Sequence, residues 1–550
     1  MSGLILILIF VALMPLTLIK PHVGVLLWVL FGLMNPHQLV AGVAQSFPFA
    51  MMIGGITILS VIVHKQERRP LPWSAPLIWL TLFIIWMNIT TVFSLVPDAS
   101  WGQWDKVMKI MAMTYVALQV MHTKERIISL AVLMTLSVGF YGIKGGIFTV
   151  LTGGQFMVVG PSGSLMAGNT ENSLGQVMTL PMMIWIRQML TNRWLRLLAL
   201  GGAISIAFAI VGSYSRGAFL AAFAMAAFLW WKSERKMPAL IAMAVMIPVL
   251  LAFMPDKYHE KMGTIESYEE DGSAMGRINA WYYAVNLTKD YPFTGGGFNS
   301  FTPQLFLKYA PEPLDFHVAH SIYFQSLGHH GYPGLIAFLG IGVSTWFMAG
   351  SIVRRVKGHD DLLWAMRLAR ALQVSIIGYA VGGAFLSLVY LDYYYYFVVL
   401  VLALNRLTSE AVAKDAVQVK SPARNRNSGR RLVGGPEIGV PMPLPGTSPL
   451  VAPQLATPSA LSRRSGVERK AKVGAASAAL PLSGRRAGRP GRGTAGTRDE
   501  VGQDVAPKKS GAFALLANAL EMGKGKKDAK PQASARPLAG RRRGSPGTAA

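Results

Sequence analysis

The 550-residue sequence contains no cysteine, which excludes disulfides and thiolate chemistry anywhere in the chain and leaves the redox compartment to be inferred from topology. Charge is scarce too. Only 15% of residues are Asp, Glu, Lys or Arg, against 52% hydrophobic residues and a mean hydropathy of +0.38, a balance that excludes an ordinary soluble globular protein. No internal repeat stands out, and no Gly-Lys-Ser/Thr follows the glycine triplet Gly295-Gly296-Gly297, so a nucleotide-cradling phosphate loop has little support.

What the chain does have is apolar runs of bilayer-spanning length. They fall near 3–19, 23–44, 47–64, 76–96, 107–121, 127–151, 173–190, 195–212, 217–231, 238–254, 321–350, 368–387 and 389–405. The expected fold is therefore all-α, a polytopic integral membrane bundle of about twelve or thirteen transmembrane helices; the first two runs, parted only by Lys20, Pro21 and His22, need not both span. The first run resembles the apolar part of a signal peptide, but it lacks a basic start and meets Pro21 where a small-residue cleavage site would stand, so it is expected to be retained.

Basic loops set the orientation, because short loops rich in Lys and Arg stay in the cytoplasm. Lys65, Arg68 and Arg69 mark one such loop, then Lys124 and Arg126, then Arg187, Arg193 and Arg196, then Lys232, Arg235 and Lys236, then Arg354, Arg355, Lys357, Arg367 and Arg370. The intervening loops at 97–106, 152–172, 213–216, 255–319 and 388–392 then face outward, and the long one carries nine acids against five basic residues. Three regions follow: 1–190, an N-terminal transmembrane part; 191–406, a core that includes loop 255–319; and 407–550, rich in Ala, Gly, Pro, Ser and Arg. The last holds 26 Lys and Arg against nine Asp and Glu, +17 of the chain's +26. It reads as a disordered cytoplasmic tail whose nearer partner is anionic lipid and not nucleic acid; the short apolar piece Ala512 to Met522 has helical character without an assigned role.

Candidate chemistry gathers on the outward side. Arg216 sits in Gly212-Ser213-Tyr214-Ser215-Arg216-Gly217-Ala218, between spans so close that the turn must be tight. It is either a snorkelling anchor or a ligand for an anion, with Ser215 and the flanking glycines leaving donors and space beside it. Arg277 lies in Gly276-Arg277-Ile278-Asn279-Ala280-Trp281, whose spacing predicts a helix over the membrane. His320 lies in His317-Val318-Ala319-His320-Ser321-Ile322-Tyr323, at the start of the next span, with Tyr323 adding a polar atom. His317 competes with it as the working imidazole, and the pattern alone leaves both. Two guanidiniums suit a diphosphate and an imidazole suits a proton to be moved.

Ser-Arg-Gly-Ala at 215–218, Gly-Arg with Trp four residues on at 276–281, Gly-Gly-Gly-Phe at 295–298 and Ala-His-Ser with Tyr at 319–323 together resemble the core of the O-antigen ligase and O-antigen polymerase superfamily. Lys20-Pro21-His22-Val23-Gly24 and Leu33-Met34-Asn35-Pro36-His37 are similar to its exosortase A-associated O-glycosylation ligases. The likeness covers roughly residues 1–400. It implies transfer of a glycan from undecaprenyl diphosphate to an acceptor hydroxyl, on a protein or on a lipid-linked sugar, at the periplasmic side of a bacterial inner membrane, without nucleotide sugar, cofactor or metal. It further implies that Arg216 and Arg277 bind the diphosphate and that His320 activates the acceptor. Ser321 departs from the family pattern, where an Asn often follows the His, and this bears on the geometry around the His alone.

Rival readings attach to particular residues. Glu266, Glu269, Glu270 and Asp271 form an acidic run that reads as solvated surface, with no second carboxylate cluster to complete a metal site. Asp392 is an outward acid able to orient His320 or an arginine, and the run Tyr393 to Tyr396 after it reads as an aromatic belt. A lipid or polysaccharide transporter also fits many spans and an outward cationic patch. Lys144, beside Gly145 and Gly146, is the residue that most favours it, and a helix end or re-entrant turn is its simpler explanation.

Overall fold

The computed structural model describes residues 2–40, 42–232, 236–263 and 272–419. Among them the fold is helical, with no strand: α1 Ser2–Ile19, α2 Pro21–Leu33, α3 Phe49–Val63, α4 Ala75–Val92, α5 Pro97–Val120, α6 Lys124–Leu151, α7 Asn169–Met189, α8 Arg193–Val211, α9 Arg216–Lys232, α10 Lys236–Ala252, α11 Asp256–Gly263, α12 Gly272–Asp290, α13 Pro303–Tyr309, α14 Ile322–Arg355, α15 Leu363–Gly383 and α16 Asp392–Val419. Helix starts follow local chemistry. Thr123 accepts from Arg126 N–H to cap α6, Asn192 accepts from Trp194 and Leu195 N–H to cap α8, and Pro stands in the first turn of α2, α4, α5 and α13.

Each of the thirteen apolar runs falls on a helix, and the chain is a polytopic helical membrane protein. Among the described residues five helices are individually long and apolar enough to cross a membrane, namely α4, α6, α8, α14 and residues Asp392–Asp415 of α16. Gly3–Ile19, Pro21–Leu33, Phe49–Val63 and Arg216–Trp231 are apolar but shorter. The second run stops being helical at Leu33, because Asn35 takes a left-handed φ of 50° and Pro36 opens a 3-10 turn. Residues 97–106, expected as loop, are the first turns of α5, and α16 continues past 406 to Val419, with Thr408 buried in the protein. The acidic run, Arg235 and the tail beyond 419 lie outside the described residues.

The core is built by close helix approach and by aromatic packing. A Cβ on Gly146 of α6 would fall 1.8 Å from Ser205 O of α8, and one on Gly142 would fall 2.0 Å from Gln176 Oε1 of α7, so glycine is what lets these helices touch. Lys144 lies exposed within the unbroken α6, two turns before its end, and not at a re-entrant turn. The tyrosine run is no headgroup belt either: Tyr393 to Tyr396 are all fully buried, with Tyr393 Oη 2.9 Å from Thr179 Oγ1 and Tyr394 stacked on Tyr379 at 4.3 Å. Four rings in a row present side chains all round the helix, and the bundle surrounds this one.

Most of the basic loops are tied together at one end of the bundle. Arg126 pairs with Glu67, Arg406 Nη1 donates to Pro70 O at 2.7 Å, Arg367 Nη1 to Gln188 O at 3.0 Å and Arg355 Nη1 to Asn405 Oδ1 at 2.9 Å. The opposite end carries α12, α13 and the segments joining α8 to α9, α12 to α14 and α15 to α16.

Candidate functional site

Arg216 is the first residue of α9. Ser215 precedes it as the cap, its Oγ accepting from Ala218 N–H at 3.2 Å, so this buried serine serves the backbone and does not reach into an open site. The guanidinium is thus anchored at the positive end of a helix macrodipole, a place that favours an anion and repels a cation by ~0.3–1 kcal/mol unless one is bound. Behind it Tyr214 takes a φ of 55° and donates from Oη to Gly154 O at 2.6 Å, holding the turn.

Arg277 rides on α12, and its neighbours fasten that helix to the segment ahead of α14. The His317 ring packs on Gly276, where a Cβ would stand 2.4 Å from Cε1 and Nδ1. Asn279 Nδ2 donates to Glu312 O and Asp315 O, its Oδ1 accepts from Glu312 N–H, and Trp281 Nε1 donates to Ala319 O at 2.8 Å while its ring stacks on Phe324 at 5.1 Å. Asn279 and Trp281 of the Gly-Arg-Ile-Asn-Ala-Trp stretch therefore position 312–319.

His320 occupies a left-handed conformation at φ 40°, unusual for a residue with a Cβ. Its N–H donates to Ser387 Oγ at 2.8 Å. Burial, then the charges of Arg277 and His317, push its pKa down to about 4, so the ring is neutral at neutral pH. Arg277 is near enough to matter electrostatically. Arg216 joins from the other side of the 384–391 loop: Gly217 packs against Phe385, where a Cβ would lie 2.9 Å from the Phe385 Cβ, and Ser387 is two residues on. The structure thus brings Arg277 and His320 together and sets Arg216 against the same short loop.

The supporting residues divide. His317 Nδ1 lies 3.2 Å from Asp315 Oδ1 as an ion-pair contact without hydrogen-bond geometry, which turns this imidazole toward an acid of its own segment. Tyr323 Oη donates to Ala380 O at 2.7 Å, bracing α14 on α15. Asp392 is not oriented toward His320. Its Oδ2 faces α2, where a Cβ on Gly32 would be 3.1 Å away, and its Oδ1 accepts from Tyr393 N–H. As the first residue of α16 it is carried to the inner side of the helix.

The glycine triplet binds backbone, not phosphate. Gly296 N–H and Gly297 N–H donate to Gly328 O and His329 O, Tyr332 N–H donates to Pro292 O, and Gly331 breaks α14 with φ 65° and ψ −168°. Gly295 and Gly297 have φ of 61° and 84°, and a Cβ on Gly295 would sit 2.7 Å from Gly328 O. Under this seam lies a buried polar chain the sequence reading missed: His329 Nδ1 and His330 Nε2 both contact Tyr390 Oη, at 2.9 and 2.7 Å, and His330 Nδ1 contacts Thr90 Oγ1 at 2.7 Å. Two adjacent histidines within an apolar run were the available signal. Tyr390, Gln325 through Val389 N–H and Tyr379 through Leu388 O all hold the loop that carries Ser387. Among the described residues no three His, Asp or Glu side chains gather closely enough to hold a metal.

Residues 201–339 match the family model for O-antigen ligases. The matched stretch runs from α8 into the first half of α14 and contains Arg216, Arg277, His317, His320 and Tyr323. Residues 1–191 match a family of unknown function. No curated protein matches the chain significantly. The O-antigen ligase match on a helical membrane fold supports a membrane glycan ligase or transferase, a class whose substrates are a lipid-linked glycan and an acceptor.

Proposed function

We propose that the protein transfers a glycan from undecaprenyl diphosphate to an acceptor hydroxyl, a protein hydroxyl by its likeness to O-glycosylation ligases, on the periplasmic side of a bacterial inner membrane. The observation that carries the proposal is the neutral His320 ring held beside Arg277, with Arg216 on the other flank of the same loop. The acceptor oxygen attacks the anomeric carbon, its proton passes to the His320 ring, and the bond from that carbon to the diphosphate oxygen breaks. Charge then builds on the leaving oxygen, where the two guanidiniums and the α9 N-terminus oppose it in a partly desolvated setting. Direct displacement inverts the anomeric centre.

A base with a pKa of about 4 is a weak proton acceptor while the site is empty. An anionic donor bound at Arg277 offsets that arginine's charge and raises the basicity of the ring when the acceptor arrives. The test incubates the purified full chain with labelled undecaprenyl diphosphate glycan and three acceptors in parallel: protein, lipid A core and a second lipid-linked glycan. Label on protein is the expected result; label on either of the others assigns ligase or polymerase activity instead, and unlabelled acceptors throughout would end the proposal.

A further inference from the structure

A cavity of about 910 Å³ lies between α7, α9, α14 and α15, at the far end of these helices from the Arg216–His320 cluster. Arg354, Arg367 and Arg370 line it, and among the described residues no Asp or Glu does. Phe228, Leu229, Trp346 and Phe347 form an apolar wall. The run from the α14 kink to Arg354 covers about 35 Å at the helical rise, so the two places are separated by about one hydrocarbon thickness.

The chemistry of this cavity differs from that of an interfacial anchor. Snorkelling arginines spread into the headgroup plane, whereas these three converge on one volume from α14 and α15. Arg367 donates to Gln188 O through Nη1 alone, and a guanidinium offers five N–H groups. Three guanidiniums beside an apolar wall fit an amphiphile with a negative head. Trp346 and Phe347 also line a second, apolar cavity of about 330 Å³ that continues between α14 and α15 along Phe338, Leu339, Gly342 and Val343. The wall is therefore long enough to take a chain, not only a headgroup.

We propose that this cavity is an anionic phospholipid site, the phosphate seated among Arg354, Arg367 and Arg370 and an acyl chain lying along Trp346 and Phe347. It draws its ligand from the surrounding bilayer and is separate from the transfer site. Arg354, Arg367 and Arg370 all lie beyond the stretch that matches the O-antigen ligases.

The full chain is reconstituted in vesicles containing phosphatidylglycerol or phosphatidylcholine with brominated acyl chains, and tryptophan fluorescence is read. Brominated phosphatidylglycerol should quench more than brominated phosphatidylcholine at equal mole fraction. No tryptophan lies beyond residue 406, so the readout comes from the bundle, and the triple-arginine variant below, which keeps the basic tail, accounts for phosphatidylglycerol that the tail recruits. Native mass spectrometry of the detergent-purified protein should show phosphatidylglycerol retained over phosphatidylcholine by at least roughly tenfold, a floor for several arginines near one anionic headgroup. The Arg354→Gln/Arg367→Gln/Arg370→Gln variant should bring both readings to near parity. A folded variant that keeps the preference, or release of the lipid by millimolar inorganic phosphate, would overturn the assignment. If the variant does not fold, equal quenching by the two brominated lipids on the unmodified protein would overturn it just as well.

Discussion

At the scale of single residues, the proposed reaction rests on Arg216, Arg277 and His320. Arg216→Ala, Arg277→Ala and His320→Ala should insert and accumulate normally yet lose at least about a hundredfold in transfer, the lower range for removing a general base or a charge-stabilising donor. Turnover by purified His320→Ala equal to that of the unmodified chain would remove the general-base assignment. The pH dependence follows from the depressed His320 pKa. Its ring is unprotonated in the folded protein above about 4, so the acidic limb it causes belongs near or just above that value and not at 6.5. Arg277→Gln removes one cause of the depression and should move the limb in residual activity to higher pH. The same shift bears on stability: between about 4 and 6.5 the unfolded chain binds a proton at this position that the folded chain declines, so its contribution is intact above 6.5 and is lost as pH falls toward 4. Ser387 escaped the sequence reading because its role is to accept a backbone N–H from a residue 67 positions away, and nothing local announces that.

The helices and their junctions were the most legible part of the sequence, and the errors have physical causes. Apolar length marks thirteen helices, and Gly-Arg-Ile-Asn-Ala-Trp is helical as its spacing predicts. Hydropathy cannot see that a polar first turn such as 97–106 is still helix, nor tell a buried tyrosine row from an interfacial one, because both read as apolar aromatic sequence. Two predictions belong here. Gly146→Leu forces α6 away from Ser205 and should lower stability by ~1–3 kcal/mol or prevent folding outright, as overpacking does; thermal unfolding in detergent reads it. Tyr390→Phe leaves the facing nitrogens of His329 and His330 without their shared hydroxyl and should cost ~1–3 kcal/mol for the unmet buried groups. Because Tyr390 also steadies the loop of Ser387, transfer at a temperature where Tyr390→Phe is fully folded should fall several-fold more than donor binding does.

For the whole molecule, the division at 406 moves. Arg355 reaches Ser409 Oγ at 2.7 Å and Thr408 is buried, so the end of α16 belongs to the bundle. A chain ending at Val419 should keep transfer activity and thermal stability close to those of the full chain, whereas one ending at 406 should be less stable; equal midpoints for the two would show that the last turns of α16 contribute nothing. The separation of basic connections at one end from the Arg216–His320 cluster at the other was readable from alternating charge, since it needs only the order of loops. The cavity of three arginines was not, because its lining comes from four helices.

The seam between residues 292–297 and the break at Gly331 is closed by main-chain hydrogen bonds, with Trp86 Nε1 donating to Phe293 O and His330 O across it. Amide and carbonyl groups are common to nearly all residues, so the fastening survives wherever the glycine geometry does. Substitutions at the exposed Leu307 and Leu314 would change the surface of this segment without touching that fastening. On the proposed reading, choice of acceptor and fidelity of transfer would then be separately adjustable.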